Sequence, residues 1–188
     1  MQRRFHFAAA TLLAAGALMI GRGNVLRAAD APTEAVAHIH GAGDNKDKIT
    51  GTATFTPADG GVKVVVEVKG LTPGKHGIHI HEKTDLSKPD LSGAGPHFNP
   101  GGHKHGGPDG GGAERHAGDL GNIEADADGN GHLEETVKGL SIAGAKDGVI
   151  GHSVIIHAGE DDLKTDPAGK SGARIAGGAI EAQKAEQK

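Results

Sequence analysis

The segment GIHIHE, Gly77 to Glu82, sets two imidazoles one residue apart inside a short apolar run. Strand side chains alternate faces, so His79 and His81 share one face and Ile80 takes the other. Alone, such a pair suits a solvated edge face as well as a metal chelate. The downstream stretch GPHFNPGGHKHGGPDGGGAERHAGDLGN carries His97, His105, His116 and Asp119, spaced widely enough for the chain to fold back around one ion. Three imidazoles and one carboxylate suit tetrahedral Zn²⁺, with the carboxylate cancelling charge. The glycines between them let the backbone turn. A second set is His79, His81, His97 and His157, whose four nitrogens favour a tetragonal Cu²⁺. His97 belongs to both sets, because each of its two ring nitrogens can face a metal.

The chain has thirteen histidines and no cysteine. That excludes thiolate zinc sites, thiol nucleophiles and disulfides. His38 and His40 share a face of the first strand and read as a solvated face rather than a site for stray metal. His103 reads as a loop histidine rather than a substitute for His105, since His105 carries the following Gly-Gly. His132 and His152 read as surface or turn residues. Lys164 and Lys170 are solvated by default, with the option of adding positive field near the site.

The elements that must position these residues are strands. EAVAHIHG (34–41) alternates. KITGTATFTPADGGVKVVVEVKGL reads as two strands joined by a turn over Ala58 to Gly61. HGIHIHE, LGNIEADADG, HLEETVKGL, VIGHSVIIHA and RIAGGAIEA are further strand-like runs, and none has a helical period. With 33 glycines and four aromatic residues, all Phe, the composition suits a turn-rich β protein with a Val, Ile, Leu and Ala core. Seven or eight short strands of about this spacing predict an all-β sandwich or barrel. Two polar loops interrupt them, 83–118 and 159–173. The first is too long for a mere connection and is expected to be functional.

The first segment, MQRRFHFAAATLLAAGALMI, has a basic start and an apolar, Ala-rich run, followed by small residues. It reads as an export signal over 1–29, cleaved near Ala28 to Ala31, rather than as a stable membrane anchor. The remaining organisation is one domain over 30–183 and a polar tail, 184–188. Removing 1–29 takes away four arginines and no acid, leaving 16 basic against 24 acidic side chains and a net charge of −8. That balance argues against a nucleic-acid partner.

Together, HGIHIHE, GPHFNP, HGG, RHAGDLGNI, SVIIHAGEDDL and GARIAGGAI resemble the copper-zinc superoxide dismutases, from about Glu34 to Ala182. The resemblance implies an eight-stranded Greek-key sandwich or flattened barrel with two long functional loops. It implies copper on His79, His81, His97 and His157, zinc on His97, His105, His116 and Asp119, and superoxide as substrate. By the same resemblance Asp161 accepts hydrogen bonds from His79 and His105. Arg174 stands at the mouth of the copper channel, His97 and Arg174 are the catalytic pair, and His76 is structural. Arg115 is expected to brace the zinc loop. The implied location is the bacterial periplasm or the outside of the cell, and the oligomeric state stays open between monomer and homodimer.

Two departures stand out. The family's disulfide tying the long loop to the barrel is absent, and its two positions hold Leu91 and Gly177. The stretch between His105 and His116 is about two residues longer, through glycines near Gly110 to Gly112, whose freedom suits such an insertion. Two rivals come from other classes. A non-enzymatic copper/zinc-binding module would need the ligands but not Arg174. A structural or adhesive sandwich with incidental metal would need no order among the histidines.

Overall fold

The computed structural model describes residues 32–108 and 115–183. The strands are β1 (Glu34–Gly41), β2 (Thr50–Ala58), β3 (Gly61–Lys69), β4 (Gly74–His81), β5 (Asp119–Ala125), β6 (Gly131–Lys138), β7 (Ser153–His157) and β8 (Arg174–Gln183). They close into a barrel in the order β1-β2-β3-β6-β5-β4-β7-β8, with antiparallel neighbours throughout. The pairings β3–β6 and β4–β7 return the chain across sequence-distant strands, as in a Greek key. Closure leaves no strand edge open. The expected all-β class is therefore met, and the turn at Ala58–Gly61 closes the β2–β3 hairpin. Two single 3₁₀ turns lie wholly within the described residues, Gly43–Asn45 and Ser92–Ala94. No described helix is long and apolar enough to cross a membrane. The expected export segment, the tail 184–188 and the glycine-rich insertion at 110–112 lie outside the described residues.

Most strands obey simple alternation. In β3, Val62, Val64, Val66 and Val68 fill the barrel while Lys63, Glu67 and Lys69 face out. β4 and β7 differ, because from His76 to His81 and from Ser153 to His157 every residue is buried. Ile78 and Ile80 join the barrel core. His79 and His81 lie on the outer face of the sheet, yet are 0% and 1% exposed. The two polar loops cover that face. Backbone hydrogen bonds from Phe98 to Ile80, from Gly118 to Phe98 and from Glu82 to Pro96 lay the first loop along β4 and bring His97 opposite His81. The register of β4 against β5 shifts between Gly77 and His79, a local irregularity of the kind that re-aims side chains.

The first loop is fastened to the barrel without a covalent bond. Leu91 sits in the left-handed region, at φ 54°, and buries its side chain against Ala94 and Ile155. Its Cδ1 lies 3.4 Å from where a Cβ on Gly177 would stand, so the two positions of the absent disulfide are in apolar contact. Leu91→Ala should lower the unfolding free energy by about 2–3 kcal/mol, the lower part of the range for a buried leucine. The Leu91 and Ala94 amides, bonded to the Lys88 and Leu91 carbonyls, should lose hydrogen-exchange protection together. Unchanged protection in that variant would mean that another contact fastens the loop.

Candidate metal centre

The barrel supplies three of the copper-set imidazoles directly, His79 and His81 from β4 and His157 from the end of β7. The first loop supplies His97, and one donor atom from each of the four lies within 4.8 Å of the others. Each ring is oriented from behind. His81 Nδ1 donates to the Gly95 carbonyl at 2.9 Å and His157 Nδ1 donates to the Gly172 carbonyl at 3.0 Å. His79 Nε2 lies 2.7 Å from Asp161 Oδ2. A carbonyl can only accept, so Nδ1 carries the proton in His81 and His157 and Nε2 presents a lone pair. The nitrogens that then face inward, His79 Nδ1 and Nε2 of His81, His97 and His157, are all buried without a hydrogen-bond partner. Buried polar atoms are normally paired. Four orphaned lone pairs clustered within 4.8 Å of one another fit a metal that accepts imidazole nitrogen.

Burial also keeps these rings neutral. Desolvation lowers His79 to about 3, although its bond to Asp161 opposes the shift. It lowers His81 to about 2 and His157 to about 4. His97 is lowered too, first by burial, with Asp119 working against it. Neutral imidazole is the form that binds metal, so no proton has to be displaced from these rings at neutral pH.

The second set gathers around one carboxylate oxygen. Asp119 Oδ1 lies 2.8 Å from His97 Nδ1, 3.1 Å from His105 Nδ1 and 3.2 Å from His116 Nδ1. His116 Nδ1 is 3.4 Å from His97 Nδ1. Donors arranged tetrahedrally about Zn²⁺ at ~2.0 Å stand about 3.3 Å apart, so these separations approximate the edges of that tetrahedron. The carboxylate is fixed from outside by the Gly106 amide, 3.0 Å from Oδ2. His79, His97, His105 and Asp119 also hold one donor each within 4.8 Å. His79, however, has its two nitrogens engaged with Asp161 and with the copper-set cluster, whereas His116 Nδ1 points at Asp119.

One residue ties the two sets together. Asp161 is 1% exposed, and its Oδ1 lies 2.9 Å from His105 Nε2 while Oδ2 takes His79. Burial opposes its ionisation, but the two imidazole bonds and the Leu163 amide win and hold its carboxyl well below the usual range. Burial likewise disfavours charge on His105, yet Asp119 and Asp161 on its two sides raise it to about 9. Gly169, at φ +61°, lets the second loop close over this carboxylate, since a Cβ there would overlap Asp161 Oδ1.

Arg174, half-buried at the start of β8, donates from Nη1 to the Leu91 carbonyl at 2.7 Å and from Nη2 to the Gly95 carbonyl at 2.6 Å. Gly95 thus receives both Arg174 and His81. His76 donates from Nδ1 to the His157 carbonyl at 2.8 Å, a bracing role away from both clusters. His38, His40, His103, Lys164 and Lys170 are exposed, and none of these three histidines joins either donor cluster. His152 is half-buried, bonds the Glu82 carbonyl at 2.9 Å and packs on Phe98. Sequence reasoning passed over Asn122, which exchanges two hydrogen bonds with the Asp161 backbone, and Asp166, which accepts from the His105 amide at 2.6 Å. The only signal for either was a position beside a ligand motif.

Fold and donors define a closed β-barrel scaffold that carries two adjacent donor clusters able to hold metal. The profile of the copper/zinc superoxide dismutase (SODC) family matches residues 49–180. The chain is 43% identical over 148 residues to the Cu-Zn superoxide dismutase of Deinococcus radiodurans, covering 74% of this chain and 81% of that protein. It is 41% identical to the Cu-Zn superoxide dismutase of Onchocerca volvulus, covering 79% and 95%. It is 42% identical to an extracellular Cu-Zn superoxide dismutase of Drosophila melanogaster, covering 79% and 85%. A crystal structure of the clock protein EA4 superposes with a TM-score of 0.72 at 37% identity, covering 81% of this chain and 96% of that one. The chain belongs to the copper/zinc superoxide dismutase family. It is a superoxide dismutase, with copper and zinc as its cofactors.

The metal-free protein should be most stable near pH 6.5. His79, His81 and His157 stay neutral in the fold well below the ordinary histidine value of 6.5, while the unfolded chain protonates there. The unfolded state then binds more protons, so stability falls as pH drops from 6.5 towards 4. His105 has the opposite sign, since its raised value gives stability that is complete below 6.5 and lost as pH rises through about 9. Denaturant melts between pH 4 and 9 should trace this maximum. A flat profile would contradict the assignment of neutral rings.

Proposed function

We propose that the chain is an exported dismutase in which His97 is shared between the two metals. Copper would be held by His79, His81, His97 and His157, and zinc by His97, His105, His116 and Asp119. The observation that carries this is His97 itself. Its Nε2 is an orphan among the copper-set nitrogens, while its Nδ1 sits at the Asp119 cluster. When bound, copper would supply the one-electron exchange that turns two superoxide anions and two protons into dioxygen and hydrogen peroxide, and zinc would supply a fixed positive charge beside it.

The rest of the work falls to the chain. His97 Nε2, buried and unpartnered, is the atom where a proton for the departing peroxide can be held, while Nδ1 keeps the ring anchored at Asp119. Asp161 keeps His79 and His105 turned towards their clusters, the usual task of a carboxylate behind a ligand. Arg174, pinned by two carbonyls and only half-buried, presents a preset cation that docks the anionic substrate. A local positive field of this kind attracts an anion even to a net negative protein. Export is supported by the basic start and apolar run of the first 29 residues and by the extracellular relative from Drosophila melanogaster.

Elemental analysis of two variants tests the shared ligand. His97→Ala should lose both metals, whereas His157→Ala should lose mainly copper. Equal zinc loss in the two would contradict the assignment. Arg174→Glu should lower kcat/KM by roughly tenfold or more with both metals retained, and the parent rate should fall with added salt, as steered encounters do. An unchanged rate in Arg174→Glu would remove its steering role.

A further inference from the structure

Arg115 does brace the zinc-side loop, because its Nη1 donates to the Asp119 carbonyl. That accounts for one of the five N–H donors that a guanidinium carries. The side chain is 3% exposed, and its Nε is buried with no partner. Among the described residues no carboxylate lies within ion-pair distance of it. A buried guanidinium with no counter-ion among the described residues is costly there, since the loss of hydration is not repaid by a neighbouring opposite charge.

The same residue lines a cavity of about 400 Å³ on the outer surface of the barrel. The other charged or polar groups around it are His103 from the first loop, Lys138 at the end of β6, and Lys146 and Asp147 from the β6–β7 connection. Three permanent cations thus surround one carboxylate. That carboxylate is turned into its own turn, with Asp147 Oδ1 2.4 Å from where a Cβ on Gly144 would stand. Neither Lys138 nor Lys146 makes an ion pair among the described residues. The cavity therefore joins a buried guanidinium to two exposed ammonium groups. Arginine forks match the oxygens of phosphate and carboxylate, and lysines add charge at variable reach.

We propose that this cavity is a binding site for a small free oxyanion of the phosphate type, held by Arg115 and closed over by Lys138 and Lys146. It is separate from the substrate channel, whose cation is Arg174. The anion supplies a counter-charge that no described residue gives Arg115 within ion-pair distance.

The test is a titration of the metal-loaded, full-length protein with inorganic phosphate at constant ionic strength, using sodium chloride as the balancing salt. Binding is followed by calorimetry and by the NMR signal of Arg115 Nε–H. The expected result is a saturable one-to-one isotherm accompanied by a shift of the Arg115 signal. A Lys138→Gln, Lys146→Gln double variant changes two exposed side chains and should keep the fold, yet it should weaken binding at least tenfold. Arg174→Gln should leave binding at Arg115 unchanged. Three outcomes would overturn the proposal. Phosphate could give no more response than chloride, the double variant could bind as well as the parent, or the response could vanish with Arg174→Gln, which would place the anion in the channel.

Discussion

A single buried carboxylate holds the centre together. Asp161 has one oxygen on His79 and the other on His105, at 2.7 and 2.9 Å. These two rings belong to different donor sets, so one anion fixes the orientation of both. A carboxylate buried this deeply is tolerable only when fully paired. The Leu163 amide and the two imidazoles provide that pairing, and Asn122 clamps the Asp161 backbone by two further bonds. The second loop can close here only because position 169 has no side chain. The chain places this buried carboxylate where it orients one ring of each donor set.

The division of labour between barrel and loops follows from what each can do. Strands hold side chains at fixed spacing, and β4 and β7 set three imidazoles on a rigid surface. Loops can reach around an ion, and they bring His97, His105, His116 and the carbonyls of Gly95 and Gly172. Gly95 shows the economy of this arrangement, since its carbonyl orients a copper-set ring and anchors Arg174. The position of the Arg174 guanidinium is thereby tied to the orientation of His81. The Leu91 carbonyl makes the second tie, and the leucine side chain buries against Ile155 where the family uses a disulfide.

The strands were legible because alternation is a local property, and β3 writes it plainly as buried valines between exposed charges. Most of the donors that the structure gathers into its two clusters were legible because their motifs are contiguous and ordered along the chain. The pair in GIHIHE was ambiguous by itself, since nothing in six residues tells an exposed outer face from one roofed by loops. The roof depends on contacts such as Asp161 to His79, 82 residues apart. Asn122 and Asp166 escaped notice for the same reason. Their partners are backbone atoms, and a backbone atom leaves no mark on sequence. The cavity at Arg115 is equally invisible there, because Lys138 and Lys146 approach it only through the path of the β6–β7 connection.

The central claim is that one imidazole, His97, joins two metal sites. It is tested most directly by electron paramagnetic resonance on protein carrying Cu²⁺ in the first set and paramagnetic Co²⁺ in the second. If the His97 ring bridges the two, exchange coupling through it should abolish the ordinary Cu²⁺ spectrum, and the spectrum should return when Zn²⁺ replaces Co²⁺. An unaltered Cu²⁺ spectrum beside fully bound Co²⁺ would show that the two ions share no ligand.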